Sequence, residues 1–104
     1  MKFIAITITK TKGDQKGETF FVADNSSIII GRGEEAGLRI ADDHRASRKH
    51  AIIGLKEGAA YASDLASTNG TFVGKIQVRG REKLKDGDIV FIGRTYFKIT
   101  IKEQ

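Results

Sequence analysis

Three short stretches of the chain are rich in groups that donate hydrogen bonds: residues 31–33, 45–50 and 67–71. Together they offer guanidinium groups, hydroxyls, a carboxamide and glycine backbone N–H groups, and none of the three contains a carboxylate. Such a set suits a tetrahedral oxyanion, above all a phosphate, because arginine binds phosphate through two parallel charge-assisted hydrogen bonds and small hydroxyls fill the remaining acceptor sites. The sequence therefore predicts that these stretches bind an anion.

The rest of the chain has the hydrophobic pattern of short β-strands. Residues 4–8 and 97–101 alternate between apolar and more polar side chains, as strands with one buried face do. No window of 11 or more residues sustains the spacing of an amphipathic helix, and residues 34–40 predict one turn at most. Glycine-bearing breaks, the first at Gly13-Asp14, separate further predicted strands. These are residues 19–23, 27–31, 50–56, 59–64, 71–73, 76–79 and 89–92.

This arrangement predicts an all-β fold, a β-sandwich of about ten short strands. The loops of a sandwich emerge at its two ends, so stretches that are far apart in the sequence can converge there. Because the chain contains no proline, its loops must take their shape from glycines, Asx turns and side-chain hydrogen bonds.

Length and composition favour one compact domain over residues 1–104. The absence of cysteine excludes disulfides, a thiolate nucleophile and a cysteine-ligated metal, and two histidines are too few for a histidine-rich metal site. We expect neither a metal nor another cofactor. The apolar runs stop far short of a membrane span of about 20 residues. The N-terminus has no signal-peptide pattern, so we expect a cytoplasmic location.

The charge balance allows an anionic partner without identifying it. Eighteen basic and 13 acidic side chains give a net charge of +5. Nucleic-acid binding is one alternative, but nearly all eight aromatic residues fall in strand patterns, which leaves no stacking platform. A sandwich that binds a partner through a sheet face without phosphate is another. The joint presence of Arg32, Ser47 and Asn69 argues against it.

Catalysis is a further alternative, and the spacing of the candidate residues disfavours it. Ser47, His50 and Asp64 are the residue types of a hydrolase triad, but Ser47 and His50 lie three apart at the start of an extended segment. Residues 70–75 look like a nucleotide-binding loop, yet they are one residue short between the glycines and precede no helix. We therefore expect a non-enzyme. The remaining neighbouring acids are interpreted as turn residues: Asp42, Asp43, Asp86 and Asp88.

Four blocks of the sequence resemble, in order and spacing, the signature motifs of the forkhead-associated (FHA) domain. The resemblance extends over almost the whole chain. It implies an 11-stranded, mostly antiparallel β-sandwich whose loops bind phosphothreonine peptides. The blocks are Gly31-Arg32, Ser47-Arg48-Lys49-His50-Ala51, Asp64-Leu65-Ala66-Ser67-Thr68-Asn69-Gly70-Thr71 and Leu84-Lys85-Asp86-Gly87-Asp88-Ile89.

The resemblance implies a role for each matching polar residue. Arg32 and Ser47 correspond to the phosphate-binding arginine and serine of the family, and Thr68 corresponds to a second hydroxyl at the phosphate. Arg48 occupies a variable position that often touches the peptide or the phosphate. Asn69 corresponds to the asparagine that hydrogen-bonds the main chain of the ligand beside the phosphorylated residue.

Other positions are implied to set specificity or to hold the loops. Arg45 matches a position that in some members reads the third residue after the phosphothreonine. Gly31, His50 and Gly70 receive structural roles, His50 by bracing the loops without touching the ligand. Family members often carry a second Asn-Gly pair where this chain has Gly74-Lys75, which leaves the turn possible but removes any peptide contact of that asparagine.

Taken with the resemblance, the sequence predicts a monomeric, cytoplasmic FHA-like domain that forms part of a longer protein. Its expected partner is a protein phosphorylated on threonine by a serine/threonine kinase, and neither nucleic acid nor a membrane is expected to bind. The alternatives that remain are a basic nucleic-acid-binding sandwich and a phosphate-independent scaffold.

Overall fold

The computed structural model describes residues 1–10 and 16–104, and the predicted break at Gly13-Asp14 lies outside them. Within these ranges the protein has eleven strands and no helix that is long and apolar enough to cross a membrane. The strands are β1 (Lys2–Lys10), β2 (Thr19–Ala23), β3 (Ser26–Gly31), β4 (Leu38–Arg39), β5 (Ala51–Lys56), β6 (Ala59–Asp64), β7 (Thr71–Val73), β8 (Ile76–Gln77), β9 (Arg81–Lys83), β10 (Ile89–Ile92) and β11 (Thr95–Glu103).

The strands form two sheets that pack face to face. The larger sheet has the order β2-β1-β11-β10-β7-β8, and the smaller sheet has the order β4-β3-β5-β6-β9. All neighbouring strands are antiparallel except β3 and β4, which pair in parallel. The predicted all-β sandwich is therefore confirmed.

The core lies between the sheets and is built by alternate residues of the central strands. In the β1–β11 pair, Ile6 lies opposite Ile99 and Ile8 lies opposite Phe97, and all four side chains are completely buried. Ala51, Ile53 and Leu55 of β5 face them from the smaller sheet. Apolar burial contributes about 25 cal/mol per Å², so this interior holds the two sheets in fixed relative positions.

Two strands, β4 and β9, were not predicted from the sequence. Leu38–Arg39 lies in a stretch that predicted one turn at most, yet it pairs with Ile30 and Gly31. Arg81–Lys83 contains three charged residues and no alternation, yet it extends the smaller sheet beside β6. Both are short edge strands whose pairing depends on the neighbouring strand rather than on their own hydrophobic pattern.

The two chain ends lie together, opposite the loops predicted to bind the ligand. The ammonium of Met1 donates to the Gln104 carbonyl at 3.0 Å, and the Gln104 N–H donates to the Met1 carbonyl at 2.8 Å. The β10–β11 turn lies at the other end of the sandwich, because β10 and β11 are antiparallel and β11 runs toward the chain ends. The β4–β5 loop meets that turn through a hydrogen bond from the Arg94 N–H to Asp43.

Candidate functional site

The loops at this end of the sandwich enclose a groove of about 370 Å³. The groove brings together all six residues that were predicted to contact the phosphate or the peptide. It also includes His44, which was not among the predicted contact residues, and it contains no carboxylate. The lining residues are Arg32, His44, Arg45, Ala46, Ser47, Arg48, Thr68 and Asn69.

The end of β3 and the β4–β5 loop lie unusually close together. The Arg32 N–H donates to the Ser47 carbonyl at 2.9 Å, and the Gly33 N–H donates to the Arg48 carbonyl at 3.1 Å. A Cβ on Gly31 would lie 2.0 Å from the Arg48 carbonyl oxygen, so no larger residue fits without moving the backbone. Gly31 thereby permits the approach that places Arg32 beside Ser47.

The Arg32 guanidinium is fixed at one nitrogen and open at the others. Its Nε donates to the Ala46 carbonyl at 3.0 Å, which fixes one edge of the planar group in the lining of the groove. Its two terminal nitrogens make no hydrogen bond to the described part of the chain. A planar guanidinium held in this way presents two parallel donors to an oxyanion.

Ser47 and Thr68 meet across the groove although they belong to different loops. The Ser47 hydroxyl oxygen accepts a hydrogen bond from the Thr68 N–H at 3.0 Å, which leaves its proton to donate elsewhere. Thr68 is exposed and its hydroxyl makes no bond to residues 1–10 or 16–104. Two hydroxyl groups therefore line the same groove as Arg32 and keep a proton to donate.

Asn69 and Arg45 are linked through a side chain and a backbone group. The Asn69 Nδ2 donates to the Arg45 carbonyl at 2.8 Å, so the carboxamide ties the β6–β7 loop to the β4–β5 loop. The amide oxygen of Asn69 is left to accept a hydrogen bond from an incoming main chain. The Arg45 side chain is exposed at the rim of the same groove.

His50 is completely buried, and its side chain joins the β4–β5 loop to the β6–β7 loop. Its Nδ1 accepts from the Ser47 N–H at 2.9 Å, so its Nε2 carries the proton and donates to the Gly70 carbonyl at 2.8 Å. Gly70 has a φ of 84°, a conformation that glycine adopts without strain. The imidazole thus connects Ser47 to the turn that follows Asn69.

Asp64 stabilises the β6–β7 loop through hydrogen bonds to residues of that loop and of β7. Its carboxylate accepts hydrogen bonds from the Ser67 hydroxyl, the Ser67 N–H at 3.1 Å and the Thr71 hydroxyl at 2.7 Å. Partial burial by itself would raise the pKa of Asp64, but these hydrogen bonds together outweigh it and hold the pKa below the ordinary value of 3.8. The charged carboxylate is therefore the form that shapes this loop.

Asp43 is a site-supporting residue that the sequence did not reveal. Its carboxylate accepts a hydrogen bond from the nearby Arg45 N–H at 3.1 Å, as an acid in a turn does. Unlike most turn acids, however, Asp43 is 99% buried. The same carboxylate accepts from the Arg94 N–H at 2.8 Å and from the Thr95 hydroxyl at 2.6 Å. No local pattern predicts these contacts, because the partners lie more than 50 residues away.

The residues of the rejected hydrolase triad do not form a triad in the structure. Both ring nitrogens of His50 are bonded to backbone groups, so neither can take the proton of the Ser47 hydroxyl. The carboxylate of Asp64 bonds Ser67 and Thr71 instead of the imidazole. The described residues at this end of the sandwich therefore lack the contacts that a hydrolase triad needs.

Comparison with known proteins identifies relatives of this chain. The chain is 32% identical over 98 residues to the FHA domain-containing protein FhaB of Mycolicibacterium smegmatis, an alignment that covers 94% of this chain and 62% of that protein. It therefore spans less than two thirds of the length of that relative.

Two solved structures are similar over nearly their whole length. One comes from a study of phosphothreonine-dependent FHA domain interactions; it is 30% identical with a TM-score of 0.83 and covers 98% of this chain and 99% of its own. The other is the FhaA FHA domain complexed with the intracellular domain of Rv3910, 32% identical with a TM-score of 0.77, covering 92% of this chain and 98% of its own. Residues 28–93 match the sequence model of the FHA domain. The chain belongs to the FHA domain family.

Proposed function

We propose that this FHA domain binds phosphothreonine-containing protein segments in the groove between Arg32 and Asn69. The observation that carries the proposal is the convergence of guanidinium, hydroxyl and carboxamide groups from three loops in one groove without a carboxylate. A similar domain of known structure takes part in phosphothreonine-dependent interactions. The ligand would be a protein that a serine/threonine kinase has phosphorylated.

The phosphate would sit between the open donors of the groove. Arg32 supplies its terminal nitrogens, and Ser47 and Thr68 supply hydroxyls from the two sides of the hydrogen bond that joins them. Arg48 is exposed beside them and adds a second guanidinium. Charge-assisted hydrogen bonds of this kind are about twice as strong as neutral ones, so the phosphate supplies most of the attraction.

The peptide main chain would continue across the β6–β7 loop. Asn69 is held by the Arg45 carbonyl, so its amide oxygen stays in place to accept a main-chain N–H beside the phosphorylated residue. Arg45 lies at the rim, where its guanidinium would meet a side chain further along the ligand. His50, Gly31 and Gly70 would act by fixing the loops rather than by contact with the ligand.

We infer that the domain acts by binding and not by catalysis, as a monomeric cytoplasmic module of residues 1–104 within a longer protein. The absence of catalysis is supported by the saturation of His50 by backbone groups, which leaves Ser47 without a base. Regulation would come from the kinase and the phosphatase that control the ligand. Neither nucleic acid nor a membrane is part of the proposal.

Calorimetric titration with one peptide in four forms tests the proposal. The forms carry phosphothreonine, phosphoserine, threonine or glutamate at the same position. We expect measurable binding of the phosphothreonine form and a large loss for the threonine and glutamate forms, because neither offers a phosphate dianion to the groove. Equal binding of the phosphorylated and unphosphorylated forms would contradict the proposal.

A salt series separates peptide recognition from nucleic-acid binding. Binding of a DNA duplex through several phosphates would fall by about two or more powers of ten between 50 and 200 mM salt and would ignore peptide phosphorylation. The phosphopeptide makes one localised dianion contact, so we expect a much shallower dependence. Tight duplex binding with no preference for the phosphopeptide would favour the nucleic-acid alternative instead.

A further inference from the structure

The outer face of the smaller sheet carries a second groove, away from the loops that are proposed to bind the phosphopeptide. Its volume is about 480 Å³. A smaller depression of about 180 Å³ adjoins it and shares Lys56 and Tyr61 with it. The groove is lined by Lys56, Glu57, Ala59, Ala60, Tyr61, Arg81 and Lys83.

The pairing register shows which side chains share this face. Side chains of directly paired residues point to the same side of a sheet, and successive residues alternate. Because Ala51, Ile53 and Leu55 of β5 face the core, the residues between them face outward. Two outward rows cross the sheet, and neither contains a carboxylate: Ser27-Gly54-Tyr61-Lys83 and Ile29-Ile52-Ser63-Arg81.

Tyr61 forms an apolar centre in this face. Its phenol ring lies over Gly54 and occupies the space that a side chain at that position would need. A Cβ on Gly54 would lie 2.4 Å from the Tyr61 hydroxyl oxygen. The Arg81 guanidinium stacks on the ring, 3.8 Å from its centroid. Ile29 and Ile52 lie side by side in the next row and are only partly buried.

The charges around this apolar centre are predominantly positive. Lys56, Arg81 and Lys83 line the groove and Glu57 is the single acid among its lining residues. A partner that covered the apolar centre would bring its own charges against three cations. Complementarity therefore selects acidic residues that flank an apolar side chain.

We propose that the outer face of the smaller sheet is a phosphate-independent docking surface for an acidic protein segment with a central leucine, isoleucine or phenylalanine. The apolar side chain would enter the groove beside Tyr61, and its acidic neighbours would pair with Arg81 and Lys83. A single-stranded nucleic acid fits less well, because a base that stacked on Tyr61 would have to displace Arg81 from the ring.

A random library of unphosphorylated 12-residue peptides displayed on phage tests this proposal separately from the phosphothreonine site. We expect selection on the wild-type domain to enrich peptides that combine Asp or Glu with a large apolar residue. Binding of an enriched peptide should perturb the backbone NMR signals of Tyr61, Ser63 and Lys83 rather than those of Ser47 and Thr68.

Charge reversal identifies the surface. Lys83→Glu touches no stacking contact, and Arg81→Glu also removes the cation on Tyr61. We expect each to weaken the enriched peptide about fivefold and the double variant at least about tenfold, since each exposed charge pair is worth a few-fold in affinity. Lys98→Glu, an exposed residue of β11 in the larger sheet, is the matched control and should change little.

The outcomes decide the proposal in both directions. A library that yields no acidic-apolar peptide, signals that shift only in the loops, or equal binding by Lys83→Glu and wild type would overturn it. Tighter binding of an oligothymidylate than of the enriched peptide at this face would favour a nucleic-acid partner instead. None of these results depends on whether the domain binds phosphothreonine, which the titration of the four peptide forms decides.

Discussion

The hydroxyl of Thr95 donates a hydrogen bond to the carboxylate of Asp43, which lies 2.6 Å away and 52 residues earlier in the chain. This bond, together with that from the Arg94 N–H, connects the β10–β11 turn to the loop that carries Arg45 and Ser47. Glycine is required at position 93, where this turn meets the loop; this contact between turn and loop is called the junction. The φ of Gly93 is 61°, which suits glycine, and a Cβ there would lie 2.6 Å from the carboxylate of Asp43.

Asp43→Asn should therefore affect both stability and recognition. The amide places a donor where three donors already converge, so we expect a loss of about 1–3 kcal/mol in the free energy of unfolding. Affinity for a phosphothreonine peptide should fall as well, because the loop that carries Arg45 and Ser47 loses its link to the β10–β11 turn. Urea unfolding and calorimetric titration measure the two effects. Asp42→Asn, at the exposed neighbouring position, should change neither. Unchanged values in Asp43→Asn would show that the junction does not support the site.

Arg32→Ala should abolish detectable phosphopeptide binding and leave the fold intact. Removal of one partner of a charge-assisted pair costs about 2–5 kcal/mol, a loss of roughly 30-fold to several thousand-fold in affinity. Arg32→Lys should also bind poorly, because an ammonium cannot reproduce the planar fork. Calorimetric titration measures the affinities, and Arg79→Ala is an exposed control outside the groove. Wild-type affinity in either Arg32 variant would remove this residue from the site.

His50→Ala should damage stability more than recognition. The substitution leaves the Ser47 N–H and the Gly70 carbonyl without their partners, which costs on the order of 1–3 kcal/mol. Thermal melting checks the first effect and titration of the folded fraction checks the second. His44→Ala, which alters an exposed side chain in the groove, should leave the melting temperature unchanged. A constant melting temperature with collapsed affinity in His50→Ala would make this histidine a ligand contact.

Arg45 should favour an acidic residue three positions after the phosphothreonine. Opposite charges at an exposed rim attract by about 0.2–1 kcal/mol, a few-fold in affinity. Peptides with Asp, Ala or Lys at that position should rank in that order for the wild type. The differences should shrink at about 300 mM salt, where the Debye length is below roughly 10 Å.

Arg45→Ala should lose most of this discrimination. Equal discrimination in the variant would place the selector elsewhere. Arg48 is then the next residue to replace, because it lines both this groove and a neighbouring one of about 410 Å³ that also includes Arg39 and Lys49. No discrimination in either protein would mean that the domain does not recognise the residue three positions after the phosphothreonine.

Asp64 should make stability depend on pH in the acid range. Its pKa is lower in the folded protein than its ordinary value of 3.8, so its contribution is fully present above that value. The contribution is lost as the pH falls through the lower folded pKa. The difference in unfolding free energy between the wild type and Asp64→Asn should therefore stay constant from pH 7 to about 4.5 and shrink below it. A difference that grows on acidification would contradict this sign.

The sequence could predict the β-sandwich and the residues that line the groove, because the strands and the polar loops between them carry local signals. Alternation marks β1 and β11, and the polar groups of the groove lie in loops bounded by recognisable strands. The same pattern placed β2, β6, β7 and β10 at the residues where they occur.

What the sequence could not predict depends on contacts between distant segments. Leu38–Arg39 becomes a strand only because β3 offers a free edge. Asp43 looks like a turn acid because its hydrogen bond to Arg45 is local and its bond to Thr95 is not. Ala66 has a φ of 53°, a left-handed conformation that alanine seldom adopts and that no pattern in the loop indicates.

The pairing of Met1 with Gln104 makes the domain suitable for insertion into a surface loop of an unrelated host protein. Two linkers that joined these residues to the host would leave from one point, so the host loop would not be forced apart. The ligand groove would face away from the host, because it lies at the opposite end of the sandwich. A host enzyme or fluorescent protein that tolerated the insertion would carry a phosphopeptide receptor without any change to the receptor's own loops.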